Sequence, residues 1–398
     1  MSPDARRLLW TRGLRGFADG AVSVLLASYL TSLGFSPLEV GAIVTGTLVG
    51  SAVLTLVVGL GGHRWPLRTV LLSATALMAA TGLGFAFVHA FWPLLLVAVV
   101  GTLNPSSGDV SVFLPTEQAV LAEAGAPAER TSRFAYYNLC GTFAGALGAL
   151  ASGVPVIAAH RFGIPTLAAE QAGFVGYALV ALALALAYRG LSPRWSEPPA
   201  KQQTAPLASS RKVVLELAAL FSLDSFGGGF VVQSLLVLWL QRRFGLPIST
   251  VGAVFFGAGL AAAFSQLASG RLAARIGHVR TMVFTHLPAN LFLVLAGVMP
   301  TAGLAVAFLL LRMSLSSMDV PARQAFVMAI VPPEERPAAA SVTNVPRSLA
   351  AALPPLLTGW MLERSSFGWP LLAGGLLKTA YDLLLLWRFR HLQLREEG

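Results

Sequence analysis

Apolar runs of roughly 20 residues, the length a helix needs to cross a bilayer, recur along this chain with short polar breaks between them. They predict helices near 14–34, 38–60, 67–88, 91–120, 134–158, 170–189, 213–241, 249–271, 279–299, 302–328, 339–361 and 368–388. One long polar stretch interrupts the series. Residues 192–212 are rich in Pro, Ser and charge, the composition of a linker. The expected organisation is a six-helix bundle over 1–191, a cytoplasmic linker over 192–212 and a second six-helix bundle over 213–398. An internal repeat agrees with that division. Gly34, Val40, Gly41, Ala42, Gly46, Gly59 and Arg64 recur 211 positions later as Gly245, Val251, Gly252, Ala253, Gly257, Gly270 and Arg275. Ser106, Ser107, Asp109 and Val110 recur as Ser316, Ser317, Asp319 and Val320, and Asn138 recurs as Asn344. Two halves in the same order have the same topology, an arrangement of transporters whose path runs between the halves.

Composition strengthens the membrane reading. Of 398 residues, 55% are hydrophobic and only 12% charged, about half the charge of a soluble domain; mean hydropathy is +0.70. The net charge of +10 does not point to nucleic acid, because its distribution is topological. With the N-terminus inside, the inner segments hold Arg6, Arg7, Arg189, Arg194, Arg211, Lys212, Arg271 and Arg388, and the outer loops only Arg161, Arg242, Arg243 and Arg364. That is the positive-inside pattern, with both termini cytoplasmic. The start of the chain is basic and polar and leads into a full span, so no cleavable signal is expected. Cys140 is the single cysteine, which excludes an internal disulfide. Arg outnumbering Lys, with much Ala, Gly and Leu, suggests a GC-rich bacterial genome and hence an inner, cytoplasmic membrane.

A twelve-span chain in two parallel halves, with a basic Gly-containing loop after the second span, resembles the major facilitator superfamily. The family's signature there is Gly-x-x-x-Asp-Arg-x-Gly-x-Arg. The first copy here runs from Gly59 through His63, Arg64 and Pro66 to Arg68, and the second from Gly270 through Ala274, Arg275 and Gly277 to Arg280, one position late. Both copies lack the aspartate. The resemblance implies an all-α membrane fold of two pseudo-symmetric six-helix bundles, a monomer that moves a small molecule by alternating access. It also implies a cytoplasmic gate at Gly59, Arg64, Arg68, Gly270, Arg275 and Arg280. There Arg64 and Arg68 are expected to use Glu117 or Glu123, and Arg275 and Arg280 to use Glu334 or Glu335; the alternative is that these arginines only hold topology. Exporters of the family carry a Gly-rich run in span five, and Gly141, Gly145 and Gly148 resemble it without its prolines. A stripe of glycines also serves ordinary close packing of helices. The family's span-four arginine is absent from the first half, where Asn104 stands, and Arg312 supplies one only in the second.

Ionisable groups inside a span are functional candidates by default, because hydrocarbon does not tolerate an unmatched charge. Asp19 lies in span one, Asp109 and Asp319 at equivalent places in spans four and ten, and Asp224 in span seven just before Gly227, Gly228 and Gly229. A buried carboxylate can carry a proton, because burial disfavours the charged form. Asp19 is the first choice, since in the resembled family spans one, four, seven and ten line the cavity. Asp109 and Asp319 are either a coupling pair or a structural pair at bends beside Pro105 and Pro321. Asp319 with Arg323, and Lys378 with Asp382, stand four apart on one helix face and are expected to pair with each other. Arg312 has no such partner and is expected to bind an anionic substrate or a distant carboxylate. Gln233, Arg312, Arg323, Asn138 and Asn344 are the candidates for the substrate cavity, the asparagines equally for helix-to-helix hydrogen bonds. The three consecutive glycines predict a kink or close packing against span eleven.

A phosphate-binding loop with lysine is absent, so ATP is not the direct driver. The six histidines are scattered, mostly at span ends, without metal-ligand spacing. No cofactor, no metal and no enzymatic activity are expected. The expected partners are a small-molecule substrate, protons and the lipid bilayer. The expected activity is proton-coupled efflux of a small organic molecule. Uptake of a metabolite or organic anion with protons is the alternative, and a transporter-like sensor or lipid-handling protein is the alternative of another class.

Overall fold

The computed structural model describes residues 2–61, 64–106, 111–124, 130–197 and 207–389. These form seventeen α-helices: α1 Pro3–Ser32, α2 Pro37–Gly61, α3 Leu67–Phe87, α4 Phe91–Val100, α5 Phe113–Glu123, α6 Arg130–Ala151, α7 Val154–Phe162, α8 Thr166–Arg189, α9 Arg211–Gly229, α10 Gln233–Phe244, α11 Ile248–Ile276, α12 His278–Val298, α13 Ala302–Ser316, α14 Asp319–Ile330, α15 Arg336–Ala352, α16 Pro354–Arg364 and α17 Trp369–Phe389. The fold is all-α with twelve spans. Five of them are built from two helices each: α4 with α5, α6 with α7, α9 with α10, α13 with α14, and α15 with α16.

The breaks have local causes. The sequence predicts one continuous helix over 91–120, but helix stops at Val100, where Gly101 turns extended. Asn104 precedes a proline, which disfavours helix there. Its Oδ1 instead accepts from the Ser106 amide at 3.2 Å and hydroxyl at 2.9 Å, closing a side-chain turn. Helix α9 ends on the triple glycine and α10 begins at Gln233. At Leu353 the pair Pro354–Pro355 starts a new helix, since neither proline can donate a backbone hydrogen bond into the old one.

By length and composition alone, eight stretches qualify as membrane-crossing helices. The spans that do not qualify include α1 and α17, which carry buried charge, and α4, which has 10 residues. Trp92, Leu186, Phe264 and Trp387 are exposed, as lipid-facing side chains are. The repeat explains Gly34 and Gly245. Both follow a helix end and both take a left-handed conformation, φ 87° and 66°, that a Cβ disfavours.

The chain forms two compact units. The first comprises residues 1–201 with 232–257. Its main seam joins α1 to α6, where a Cβ on Gly16 would approach the Gly141 carbonyl oxygen to 2.6 Å, and one on Gly20 or Gly148 would overlap the opposing backbone. Among lipids, apolar burial yields little water-exclusion free energy, so such close approach and polar links hold helices together. Tyr29, Phe85 and Phe174 pack as an aromatic cluster nearby. The second unit comprises residues 202–231 with 258–398. Its core gathers Phe221, Met282, Val283, Phe326, Tyr381 and Leu385.

Candidate functional site

In the second unit, four helices bring charge together in the interior. Asp224 of α9 accepts from Lys378 Nζ of α17 at 2.5 Å and lies 3.5 Å from Arg323 Nη1 of α14. Arg323 also reaches Asp319 Oδ2 at 3.2 Å, as the four-residue spacing predicts. His286 of α12 places Nδ1 3.3 Å from Asp382 Oδ1 and 4.0 Å from Asp224 Oδ1. The other Asp382 oxygen accepts from Asn290 Nδ2 at 2.8 Å. All six ionisable groups are buried.

This arrangement corrects one expectation. Lys378 and Asp382 do not pair with each other. Gly227 has no Cβ, and one would come within 2.8 Å of the Lys378 stem. Helix α9 therefore approaches α17 closely, and Lys378 reaches Asp224 one turn away while Asp382 turns to α12. Arg312, on α13, has no carboxylate in contact among the described residues. Its Nη1 donates to the Met313 thioether at 3.2 Å, and its Nε is enclosed without an acceptor.

The first unit holds a second cluster. Glu117 of α5 accepts from Thr11 at 2.9 Å and Tyr188 at 2.5 Å on one oxygen. On the other it accepts from Arg15 at 2.5 Å and from Tyr137. It thus ties α1, α6 and α8 to α5. Asp19 is buried one turn along α1 from Arg15, and Arg15, Arg12, Tyr177 and Glu117 act on it. Asp109 lies outside the described residues. Gln233 donates to Ser23 Oγ at 2.9 Å. Asn138 and Asn344 are exposed at equivalent places on α6 and α15.

At the loops, two of the four expected acidic partners, Glu117 and Glu335, are engaged elsewhere. Glu117 is consumed by Arg15 and the tyrosines, so it does not serve Arg64 or Arg68. Arg68 instead caps α8, donating to the Arg189 carbonyl oxygen at 2.5 Å and to Ser196 Oγ at 3.2 Å, a favourable place for a cation. Arg64, Arg275 and Arg280 are exposed. Glu335 accepts from the amides of Ser209 at 3.0 Å and Ser210 at 3.1 Å and from both hydroxyls, so it anchors the approach to α9 and not the arginines of the second loop. The Ser210 hydroxyl foremost, with Ser209, holds its carboxyl down at about 2. Gly277 of that loop sits at φ 83°; Gly59 and Gly270 face open space. The span-five glycines are used in the seam with α1.

Sequence reasoning missed His286, Asn290, Arg15 and the tyrosine partners of Glu117. A signal existed for the first three. His286 and Asn290, and Arg15 and Asp19, stand four apart in otherwise apolar helices, the spacing that sets polar groups on one face. No group of His, Cys, Asp and Glu suited to a metal occurs among the described residues.

Comparison with known proteins agrees with this architecture. The family model described as Major Facilitator Superfamily matches residues 8–240 and 217–397. An uncharacterized membrane protein of Saccharomyces cerevisiae, YJR124C, is 27% identical, over 96% of this chain and 93% of its own. A bacterial homolog of the human lysosomal transporter Spinster, inward-facing and unoccupied, is 14% identical with a TM-score of 0.74, covering 97% of this chain and 96% of that one. The nucleoside transporter NupG is 17% identical with a TM-score of 0.70, covering 98% of each chain. At these identities the solved structures share the fold alone. The chain belongs to the Major Facilitator Superfamily, and it is a multi-pass membrane transporter.

Proposed function

We propose that this member of the Major Facilitator Superfamily carries a small organic solute across the inner membrane by alternating access, with protons as the coupled ion. The moving bodies of this proposal are the halves 1–191 and 213–398, joined by the linker 192–212.

The observation that carries the proposal is the buried cluster of Asp224, Asp319, Asp382, Arg323, Lys378 and His286. Three carboxylates contact two permanent cations, Lys378 and Arg323, so within contact distance the cluster is one positive charge short until a proton occupies His286 or Asp382, and Arg312 acts on it only from beyond contact. Uncompensated charge is strongly disfavoured in hydrocarbon, which makes proton occupancy and helix arrangement depend on each other. His286 faces Asp382, Lys378 and Tyr381 from α17, Asp224 from α9, and Asp319 from α14. Asp19 is the second candidate carrier. It is buried on α1 near Arg12 and Arg15, and Arg15 is itself paired with Glu117. The His286–Asp382 pair is placed first because it belongs to the contact cluster that is one charge short.

Export is the first direction proposed, on the resemblance of Gly141, Gly145 and Gly148 to the exporter run. Uptake with protons is the second reading, favoured by Arg312, a membrane cation without a carboxylate in contact among the described residues. Purified protein in vesicles, with an imposed pH gradient and a pH-reporting dye inside, tests both. Export by exchange moves solute against the proton flow, and uptake moves it with the proton flow. Solute flux that ignores the gradient and carries no protons would overturn proton coupling.

A further inference from the structure

Arg312 is the eleventh residue of α13. At 1.5 Å per residue it stands roughly 15 Å along the helix, near the middle of a hydrocarbon core about 30 Å thick. A guanidinium at that depth needs an anion, a carbonyl or water. The other cations of the unit's interior have their acceptors. Lys378 holds Asp224, Arg323 holds Asp319 and Asp224, and Arg347 donates to Ser225 Oγ at 2.8 Å. For Arg312 the described residues provide one soft acceptor, the thioether of Met313, and leave Nε enclosed with none. The two carboxylates acting on it, Asp224 and Asp319, are both engaged by other cations. The residue as a whole is half-buried while its Nε is enclosed. Its planar fork of donors matches the paired oxygens of a carboxylate or phosphate.

We infer that Arg312 is a substrate-binding residue and that the transported solute carries an anionic group, a carboxylate or a phosphate, which supplies the acceptors Arg312 lacks. This deepens the transport proposal by naming the substrate class and rests on the chain being a transporter. It does not rest on proton coupling.

The test reads binding at fixed pH in detergent, with no gradient. Thermal unfolding is followed against matched probes: benzoate and benzamide, nicotinate and nicotinamide, glycerol 3-phosphate and glycerol, and a wider set of small carboxylates and phosphates with their amides or esters. The expected result is stabilisation by anionic members and not by their neutral partners. Affinity for those anions falls about ten- to hundredfold in Arg312→Gln and recovers in part in Arg312→Lys, while the unliganded melting temperature of the variants stays at the wild-type value. Three results would each overturn the inference: stabilisation only by neutral or cationic probes, anion affinity unchanged in Arg312→Gln, or no stabilisation by any anionic probe. If anions bind through Arg312 but vesicle flux carries no protons, the coupling proposal alone fails. If protons are carried with neutral solutes, the inference alone fails.

Discussion

Glu117 accepts from four side chains on three neighbouring helices, so its two oxygens have no capacity left for a solute or a loop arginine. It is a positioned charge whose work is to keep Arg15 neutralised. Removing one partner of a buried ion pair leaves the other uncompensated, at about 3–5 kcal/mol. Glu117→Gln is therefore expected to lower the melting temperature in detergent sharply. The double variant Glu117→Gln with Arg15→Leu is expected to regain a large part of the loss, since no bare cation remains. An equal or larger loss in the double variant would show that the hydrogen bonds, not the charge, carry the stability. Glu335 shows the same chemistry outside the membrane. Its folded value of about 2 lies below the ordinary 4.5. The group therefore contributes stability that is complete above about pH 4.5 and lost as the pH falls toward about 2. The melting-temperature difference between wild type and Glu335→Gln is expected to be constant from pH 7 to 5 and to shrink below that. A difference that grows on acidification would contradict the anchoring role.

At the scale of elements, glycines decide which helices can touch. Along α1 and α6, Gly16, Gly20 and Gly148 leave room only for opposing backbone, and Gly141 makes room for the Arg12 side chain, so the seam is a backbone-to-backbone contact. Gly148→Val is expected to destabilise the protein by at least about 1–3 kcal/mol through overpacking, read as lost monodisperse protein or a lower melting temperature. Gly59→Ala, in open space, is expected to leave stability unchanged even if it alters transport. Equal damage from both would sink the distinction between seam and loop. The breaks belong to this scale too. Asn104 before Pro105, the triple glycine at the end of α9, and Pro354–Pro355 each end a helix by a different backbone mechanism. Such breaks give the membrane interior short helix ends, and Asp319 uses a further one, between α13 and α14, opening α14 where the helix dipole favours negative charge.

For the whole molecule, the frame was legible in the sequence and the pairing was not. Span number, the all-α fold and the membrane setting follow from apolar periodicity and the 211-residue repeat, because bilayer thickness acts locally. The repeat marks Gly34 and Gly245, and their left-handed conformation comes from the structure. The pairing of Lys378 with Asp224, 154 positions away, depends on how α9 lies against α17, which no single-helix spacing contains. The same holds for Glu117, whose four donors converge only after α1, α5, α6 and α8 are packed. His286 was hidden for another reason: one histidine in an apolar helix looks incidental until Asp382 is seen beside it. Symmetry and chemistry thus separate. Matched residues make the scaffold, and the charge clusters of the two units share no pattern.

The account's central claim is that the His286–Asp382 pair couples transport to protons. The most direct measurement compares proton flux driven by solute in vesicles of wild type, His286→Asn, Asp382→Asn and Asp19→Asn, with solute binding measured in parallel. The account predicts that His286→Asn and Asp382→Asn still bind solute but move it without protons, while Asp19→Asn keeps solute and proton movement linked. Proton-linked transport that survives in His286→Asn and Asp382→Asn and disappears in Asp19→Asn would contradict it and move the coupling site to the first unit.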